Sequence, residues 1–110
     1  MRHDFFSNPL ADQKKSAFYK DHIARWESEK IKRPGMIVFV RVDDLFFATF
    51  GDQAKQVSGI MPVSYLSFSA PWGAEQVVEI RETKLDQYSA SLRDLGFPVH
   101  IARSPATRSR

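Results

Sequence analysis

Hydrophobic positions recur with helical spacing near the start of the chain. One face carries Tyr19, His22, Ile23 and Trp26, which stand at positions i, i+3, i+4 and i+7. Asn8-Pro9 is a favourable helix start, because Asn caps an N-terminus and Pro fits the first turn. The pattern therefore predicts a helix from there to about Glu29, which Arg33-Pro34-Gly35 then breaks.

The middle of the chain changes to short apolar runs that are typical of strands. Residues 36–42 (MIVFVRV) and 45–50 (LFFATF) each predict a strand, and Asp43-Asp44 between them suits a tight hairpin turn. Residues 52–60 return to a helical period. The predicted inward face of that short helix carries Ala54, Val57, Ile60 and Met61.

Two further strands are predicted after the second helix. Residues 63–70 alternate between apolar and polar positions, and residues 76–80 form a short apolar run. Pro71-Trp72-Gly73 between them predicts a turn.

The last predicted helix begins near Thr83-x-x-Asp86, which resembles a capping box with Asp in place of the usual Glu. Its apolar face carries Leu85, Tyr88, Leu92 and Leu95. Gly96 is suited to end this helix, and residues 97–102 predict a closing strand.

The predicted order α-β-β-α-β-β-α-β indicates an α+β fold, a mixed sheet of about five strands covered by three helices. A length of 110 residues favours one domain. We assign that domain to residues 8–103, between a flexible N-terminus at 1–7 and a basic, disordered tail at 104–110. So small a sheet leaves an edge strand that could pair with a second copy of the chain.

The composition is that of a globular protein, with 43% hydrophobic and 26% charged residues. The chain contains no cysteine, which excludes disulfides and thiolate zinc sites and fits a reducing cytoplasm. No apolar run reaches the roughly 18 residues of a membrane span, and residues 1–10 carry charges where a signal peptide needs an apolar stretch. We therefore expect a soluble, cytoplasmic protein.

The net charge of +3 suggests a polyanionic partner, but the basic residues are concentrated in residues 14–33 and in the C-terminal tail. The basic residues of the early segment are Lys14, Lys15, Lys20, Arg25, Lys30, Lys32 and Arg33. They could contact DNA phosphates, or they could simply form a solvated helix face. The tail could be an electrostatic tether or an inert terminus. The rest of the chain is mildly acidic, unlike a strong general DNA-binding surface.

Three segments together carry a resemblance to a known family. Residues 18–34 are similar to the helix that opens its domain, and residues 37–54 to an apolar strand, a turn, a second strand and an Asp-x-Ala helix start. Residues 87–99 are similar to its Tyr-Leu-x-x-Leu helix, Gly stop and closing strand. In order and spacing, the three segments resemble the N-terminal mismatch-recognition domain of the MutS family over about residues 18–103.

This resemblance implies a DNA-binding module. In that family the Phe of a Phe-x-Glu motif wedges beside a mispaired base from the minor groove, and the Glu hydrogen-bonds to that base. Mismatched steps unstack more readily, so such a wedge selects them. The Phe falls on Phe46, or on Leu45 if the turn is aligned one residue differently. Because Phe46 and Phe47 alternate on one strand, either could be the exposed wedge, the alternative being a plain hairpin with a buried Phe. Arg41 is a further candidate DNA contact.

The chain departs from the family pattern at several places. The Glu position falls on Ala48, or on Phe47 in the shifted alignment, so the carboxylate is missing. Asp43 stands where the family has Gly, and Glu79-Ile80-Arg81 replaces its Gly-Ile-Pro-x-His stretch. No G-x-x-x-x-G-K-[ST] arrangement is present, so we expect no ATPase loop.

Three classes of function follow from these observations. The leading hypothesis is a non-enzymatic module, without a cofactor, that binds mismatched or distorted duplex DNA. The alternative is a protein-interaction or accessory module that keeps the fold, has lost DNA readout and acts through a partner protein. The third class is a small metal-dependent nuclease, which would need Asp43, Asp44 and Asp52 to converge. The three histidines, His3, His22 and His100, form no metal-binding pattern, so no metal site is expected.

Overall fold

Five strands form one sheet that carries helices on both faces. The computed structural model describes residues 9–103, in which the elements are α1 (Pro9–Lys32), β1 (Ile37–Arg41), β2 (Phe46–Phe50), α2 (Gly51–Ile60), β3 (Ser64–Ala70), β4 (Gly73–Arg81), α3 (Glu82–Asp94) and β5 (Val99–Ala102). The strand order is β3-β4-β2-β1-β5. β1 and β5 are parallel, whereas the other neighbouring pairs are antiparallel. The predicted α+β fold, with five strands in a mixed sheet and three helices, is confirmed.

The predictions about the two ends of the chain fall outside the described residues. They concern the Asn8 cap, the flexible segment 1–7 and the basic tail 104–110, and they stay predictions. Within residues 9–103, no helix is long and apolar enough to cross a membrane.

The two faces of the sheet are covered by different helices. α1 packs on one face, in a cluster formed by Tyr19, Ile23, Trp26, Val38, Val40, Val42, Ala48, Phe50, Phe68 and Val77. α2 and α3 pack on the other face, in a cluster formed by Ile37, Phe39, Phe47, Ala54, Val57, Val78, Ile80, Leu85, Leu92 and Val99. Because β1 and β2 are apolar at nearly every position, each sends side chains into both clusters.

α1 crosses the sheet from one edge strand to the other. Near its start, the Ser16 hydroxyl donates to the Ser69 carbonyl of β3 at 3.4 Å. Near its end, His100 of β5 lies 3.5 Å from the Glu29 carboxylate. The first turns of α1, before Ser16, therefore extend past the β3 edge.

Two details of the last helix differ from the prediction. α3 begins at Glu82 after Arg81, without a side-chain cap, so the capping box at Thr83 is wrong. The first helical N–H, that of Glu82, instead donates to the Leu45 carbonyl of the hairpin loop at 2.8 Å. Leu95, predicted on the buried face, is 60% exposed because it follows the last residue of the helix.

Gln53 of α2 bonds to the beginning of β1, at the point where β2 has ended and no longer pairs with β1. Its side-chain oxygen accepts from the Val38 N–H at 2.9 Å and from the Trp26 indole N–H at 3.2 Å. Its amide nitrogen donates to the Met36 carbonyl at 2.7 Å. One side chain thus replaces a missing strand partner and also ties α1 to the sheet. Gly51, at a φ of 56°, lets α2 begin here, since a Cβ would lie 3.3 Å from the Trp26 ring.

We expect Gln53→Ala to lower the free energy of unfolding by about 3 kcal/mol, because an unpaired buried polar group costs about 1–3 kcal/mol. Urea denaturation followed by circular dichroism measures the change. The matched control is Gln56→Ala on the exposed side of the same helix, which should change stability by less than about 0.5 kcal/mol. Equal effects of the two substitutions would contradict the role assigned to Gln53.

Asp43 closes the β1–β2 hairpin. Its carboxylate oxygen Oδ1 accepts from the backbone N–H groups of Leu45 and Phe46, both at 2.8 Å. The Val42 N–H donates to the Phe46 carbonyl at 3.0 Å, so the chain reverses over a loop of residues 43–45. The prediction of a hairpin turn at Asp43-Asp44 is confirmed, but the second strand begins at Phe46 and not at Leu45.

Asp43→Ala should destabilise the protein by about 1 kcal/mol and speed amide exchange at positions 45 and 46, because both N–H groups lose their acceptor. Asp43→Asn should retain most of the stability, since its amide oxygen can accept the same bonds. Asp44→Ala is the control, because it keeps the backbone carbonyl that accepts from Arg41 at 3.2 Å. Hydrogen exchange by NMR, together with thermal unfolding, reads out both effects. Unchanged exchange in Asp43→Ala would refute this account of the turn.

Candidate nucleic-acid interface

Phe46 lies at one end of the middle strand of the sheet, at the corner between the β1–β2 hairpin and the end of β4. It is the first residue of β2 and is paired with Arg81, the last residue of β4. Its ring is half-buried, and the Arg81 guanidinium carbon lies 5.3 Å from the ring centroid. Leu45, next to it in the loop, is 55% exposed. This corner, formed by Leu45, Phe46 and Arg81, presents an aromatic ring, an aliphatic side chain and a cation together.

A shallow notch of about 230 Å³ adjoins the corner, because β3 is shorter than β4 at this end. The last β3–β4 pair joins Ser64 to Glu79, so Ile80 and Arg81 extend past β3. The notch is lined by Phe46, Pro62, Val63, Ser64, Glu79, Ile80, Arg81, Lys84 and Tyr88. The lining mixes apolar side chains with the cations Arg81 and Lys84 and the carboxylate of Glu79. Stacking surfaces beside cations are what a base attached to a phosphate needs.

Glu79 is the carboxylate of this notch, and its position is fixed by α1. The Tyr19 hydroxyl donates a hydrogen bond to Glu79 Oε2. Burial raises the pKa of the Tyr19 hydroxyl above its usual range, and the hydrogen bond to Glu79 raises it further. Glu79 lies directly across from Ala48 in the β2–β4 ladder and is half-buried. A hydrogen-bond acceptor is therefore held beside Phe46 on the α1 side of the sheet.

The second wedge candidate, Phe47, is in the core. Its side chain is 0% exposed and packs among the residues under α2 and α3. Arg41 lies over this ring, with 4.6 Å from the guanidinium carbon to the centroid. Ala48 is also fully buried. The structure thus rules out Phe47 as an exposed wedge. In the alignment shifted by one residue, which places Leu45 at the Phe position and Phe47 at the Glu position, only Leu45 is exposed.

Two of the predicted DNA contacts, Arg25 and Arg41, are engaged within the protein. Arg25 donates to the Arg41 carbonyl, and burial lowers the pKa of its guanidinium. Arg41 forms an ion pair with Glu82, with 2.6 Å between Nη2 and Oε2, and also donates to the hairpin carbonyls. The hydrogen bond from Arg41 lowers the pKa of the Glu82 carboxyl. Arg25 and Arg41 thus each spend part of their donors within the protein, and their role as phosphate contacts stays a prediction.

The remaining basic candidates lie along α1 and at its end. Lys14, Lys20 and Arg33 are exposed, and Lys15 is half-buried. The Lys30 ammonium lies 4.3 Å from the centroid of Trp26, and Lys32 pairs with Glu29 at 3.8 Å. These residues are spread along the 24-residue helix that crosses the sheet and, for Arg33, just after its end, so they do not form one compact cluster.

The carboxylates and histidines were also considered as metal ligands, the carboxylates for a metal-dependent nuclease site. Within residues 9–103, no three His, Asp or Glu side chains come together in a way that could hold a metal ion. Asp43, Asp44 and Asp52 thus do not form the convergent group that the nuclease hypothesis needed. His22 is half-buried beside Phe18, and burial lowers the pKa of its imidazole. His3 lies outside the described residues.

Sequence reasoning missed Glu79, Arg81 and Lys84 as members of this site. They lie 33 or more positions away from Phe46 in the chain, and only the β2–β4 register brings them to the same corner. A usable signal was present, because Arg81 and Lys84 stand at the junction of a predicted strand and a predicted helix.

A comparison with protein-family models and a search of curated protein sequences both give no match.

Proposed function

We propose that this domain binds duplex DNA at mispaired or otherwise distorted steps, with the corner of Leu45, Phe46 and Arg81 as its contact surface. The observation that carries the proposal is Phe46, a half-exposed ring at a hairpin end with a guanidinium against it. Such a ring can insert between loosely stacked bases while nearby cations neutralise phosphates. The resemblance of residues 18–103 to the mismatch-reading domain supports the same assignment.

The roles of the neighbouring residues follow from their positions. Leu45 would widen the apolar wedge, and Arg81 and the exposed Lys84 would contact the backbone on either side of the notch. Exposed lysines of α1, such as Lys14 and Lys20, would add affinity that does not depend on sequence. Binding of this kind needs no cofactor or catalytic step, and we place the domain in the reducing cytoplasm.

One observation favours a second candidate, a protein-interaction module that keeps the fold and has lost DNA readout. The hairpin corner also carries the carboxylates of Asp43, Asp44 and Glu82, which are exposed and would repel phosphates. The same exposed Leu45 that could enter DNA could instead contact an apolar surface of a partner.

DNA binding should depend on Phe46 in a way that distinguishes the two candidates. Fluorescence anisotropy with perfectly paired and singly mismatched duplexes should show tighter binding of the mismatched duplex. Phe46→Ala should remove that preference and weaken mismatch binding by at least about fivefold, since a stacked base contributes roughly 1–3 kcal/mol. Trp72→Ala is the matched control, an exposed aromatic residue beyond the other end of β4.

The cations give an independent readout in the same assay. Arg81→Ala and Lys84→Ala should each weaken binding to both duplexes. Each should also reduce by about one the slope of the logarithm of the binding constant against the logarithm of the salt concentration. Lys55→Ala on the exposed side of α2 should change neither quantity. If no duplex binds at low salt, the DNA proposal fails and the protein-interaction candidate is favoured. If the affinity depends neither on the mismatch nor on Phe46, the proposed insertion of the Phe46 ring is wrong.

A further inference from the structure

β3 forms an open edge of the sheet. It is the outermost strand beyond β4, and no other strand within residues 9–103 pairs with its outer side. Its sequence, SYLSFSA, contains no charge and no proline, which are the usual protections of an edge strand. Residues 64–67 are all exposed, and Tyr65 and Leu66 remain 40% and 41% accessible. Such an edge is a template for another strand.

An apolar groove of about 580 Å³ lies beside this edge, between the first turns of α1 and the β3–β4 turn. It is lined by Asp12, Gln13, Ser16, Ala17, Lys20, Ser69, Pro71 and Trp72. α1 extends past β3 at this point, so a strand added to β3 would pass beneath the helix. The two charged lining residues, Asp12 and Lys20, are of opposite sign, so the groove does not repel an uncharged strand.

We propose that β3 pairs with β3 of a second copy in an antiparallel, two-fold dimer with Ser67 opposite Ser67. This register overlaps all seven residues of both strands. It places Leu66 of each copy opposite Phe68 of the other, on the face of the sheet that α1 covers. The groove begins one residue further along β3, at Ser69. Tyr65 falls opposite Ser69 on the other side. An uncharged strand pairs with itself without repulsion, and the two sheets join into one of ten strands.

Sedimentation velocity over a concentration series should show a monomer–dimer equilibrium in the absence of DNA. Ser67→Lys should abolish the dimer, because it places two ammonium groups opposite each other at the two-fold axis. Leu66→Ser should raise the dimer Kd about tenfold or more, because the apolar contact of Leu66 with Phe68 of the other copy is lost on both sides of the two-fold axis. Ser28→Lys on the exposed surface of α1 is the matched control and should leave the dimer intact. Far-ultraviolet circular dichroism checks that every variant folds.

A disulfide cross-link tests the proposed register of the two β3 strands. Because the chain has no cysteine, Ser67→Cys introduces a single thiol. Opposite Cα atoms in an antiparallel pair are about 4.5–5.5 Å apart, within the range of a disulfide. Mild oxidation should therefore convert this variant to a covalent dimer, whereas Ser28→Cys should stay monomeric on a reducing-agent-free gel. The proposal is overturned if the protein is monomeric at all concentrations, if Ser67→Lys still dimerises, or if open-ended oligomers form.

Discussion

Two of the three interior strands of the sheet, β1 and β2, are apolar on both faces, and this requires helices on both sides of the sheet. Val38 and Val40 of β1 point toward α1, whereas Ile37 and Phe39 point toward α2 and α3. A strand with two buried faces cannot lie at the surface of a small domain without exposing one of them. The positions of all three helices follow from this constraint, and so do the ends of the sheet that they leave uncovered.

The hairpin joining those strands is where the buried sheet meets solvent. Phe47 and Ala48 are fully buried, while Leu45 lies in the loop and Phe46 is only partly covered. Asp43 fixes the loop through the N–H groups of Leu45 and Phe46. The candidate site is thus a short apolar projection from a rigid sheet, which suits a group that must enter another molecule without bending itself.

Electrostatics limit how that projection could meet DNA. The corner brings Arg81 and Lys84 beside Phe46, but it also brings carboxylates, and the Arg41 charge is balanced by Glu82. Affinity from charge alone would be modest, so selectivity would have to come from insertion of the ring and from the ease of unstacking the DNA. The open β3 edge and the groove beside it lie on the other side of β4, and Ser64, the first residue of β3, is the point where that edge meets the notch.

Periodicity and composition were sufficient to predict the element order, the mixed sheet, the three helices and much of the core. Helical spacing at Tyr19, Ile23 and Trp26, and the apolar runs of β1 and β2, are local patterns that report which side chains must leave water. The hairpin at Asp43 was predictable for the same reason, since its side chain bonds to backbone groups two and three residues away.

The tertiary structure alone decided which of two adjacent phenylalanines stays partly accessible. Alternation along the strand places Phe46 and Phe47 on opposite faces of the sheet, but it does not say which of the two faces is fully covered at that position. It decided that Arg25 and Arg41 serve the hairpin, that Leu45 supplies the acceptor for the first N–H of α3, and that Gln53 stands in for a strand. It also brought Glu79, Arg81 and Lys84 to Phe46. Apart from the bonds of Arg41 to the Asp43 and Asp44 carbonyls, these contacts join residues at least 15 positions apart in the chain. Their partners depend on how the strands and helices pack, which a local sequence pattern does not contain.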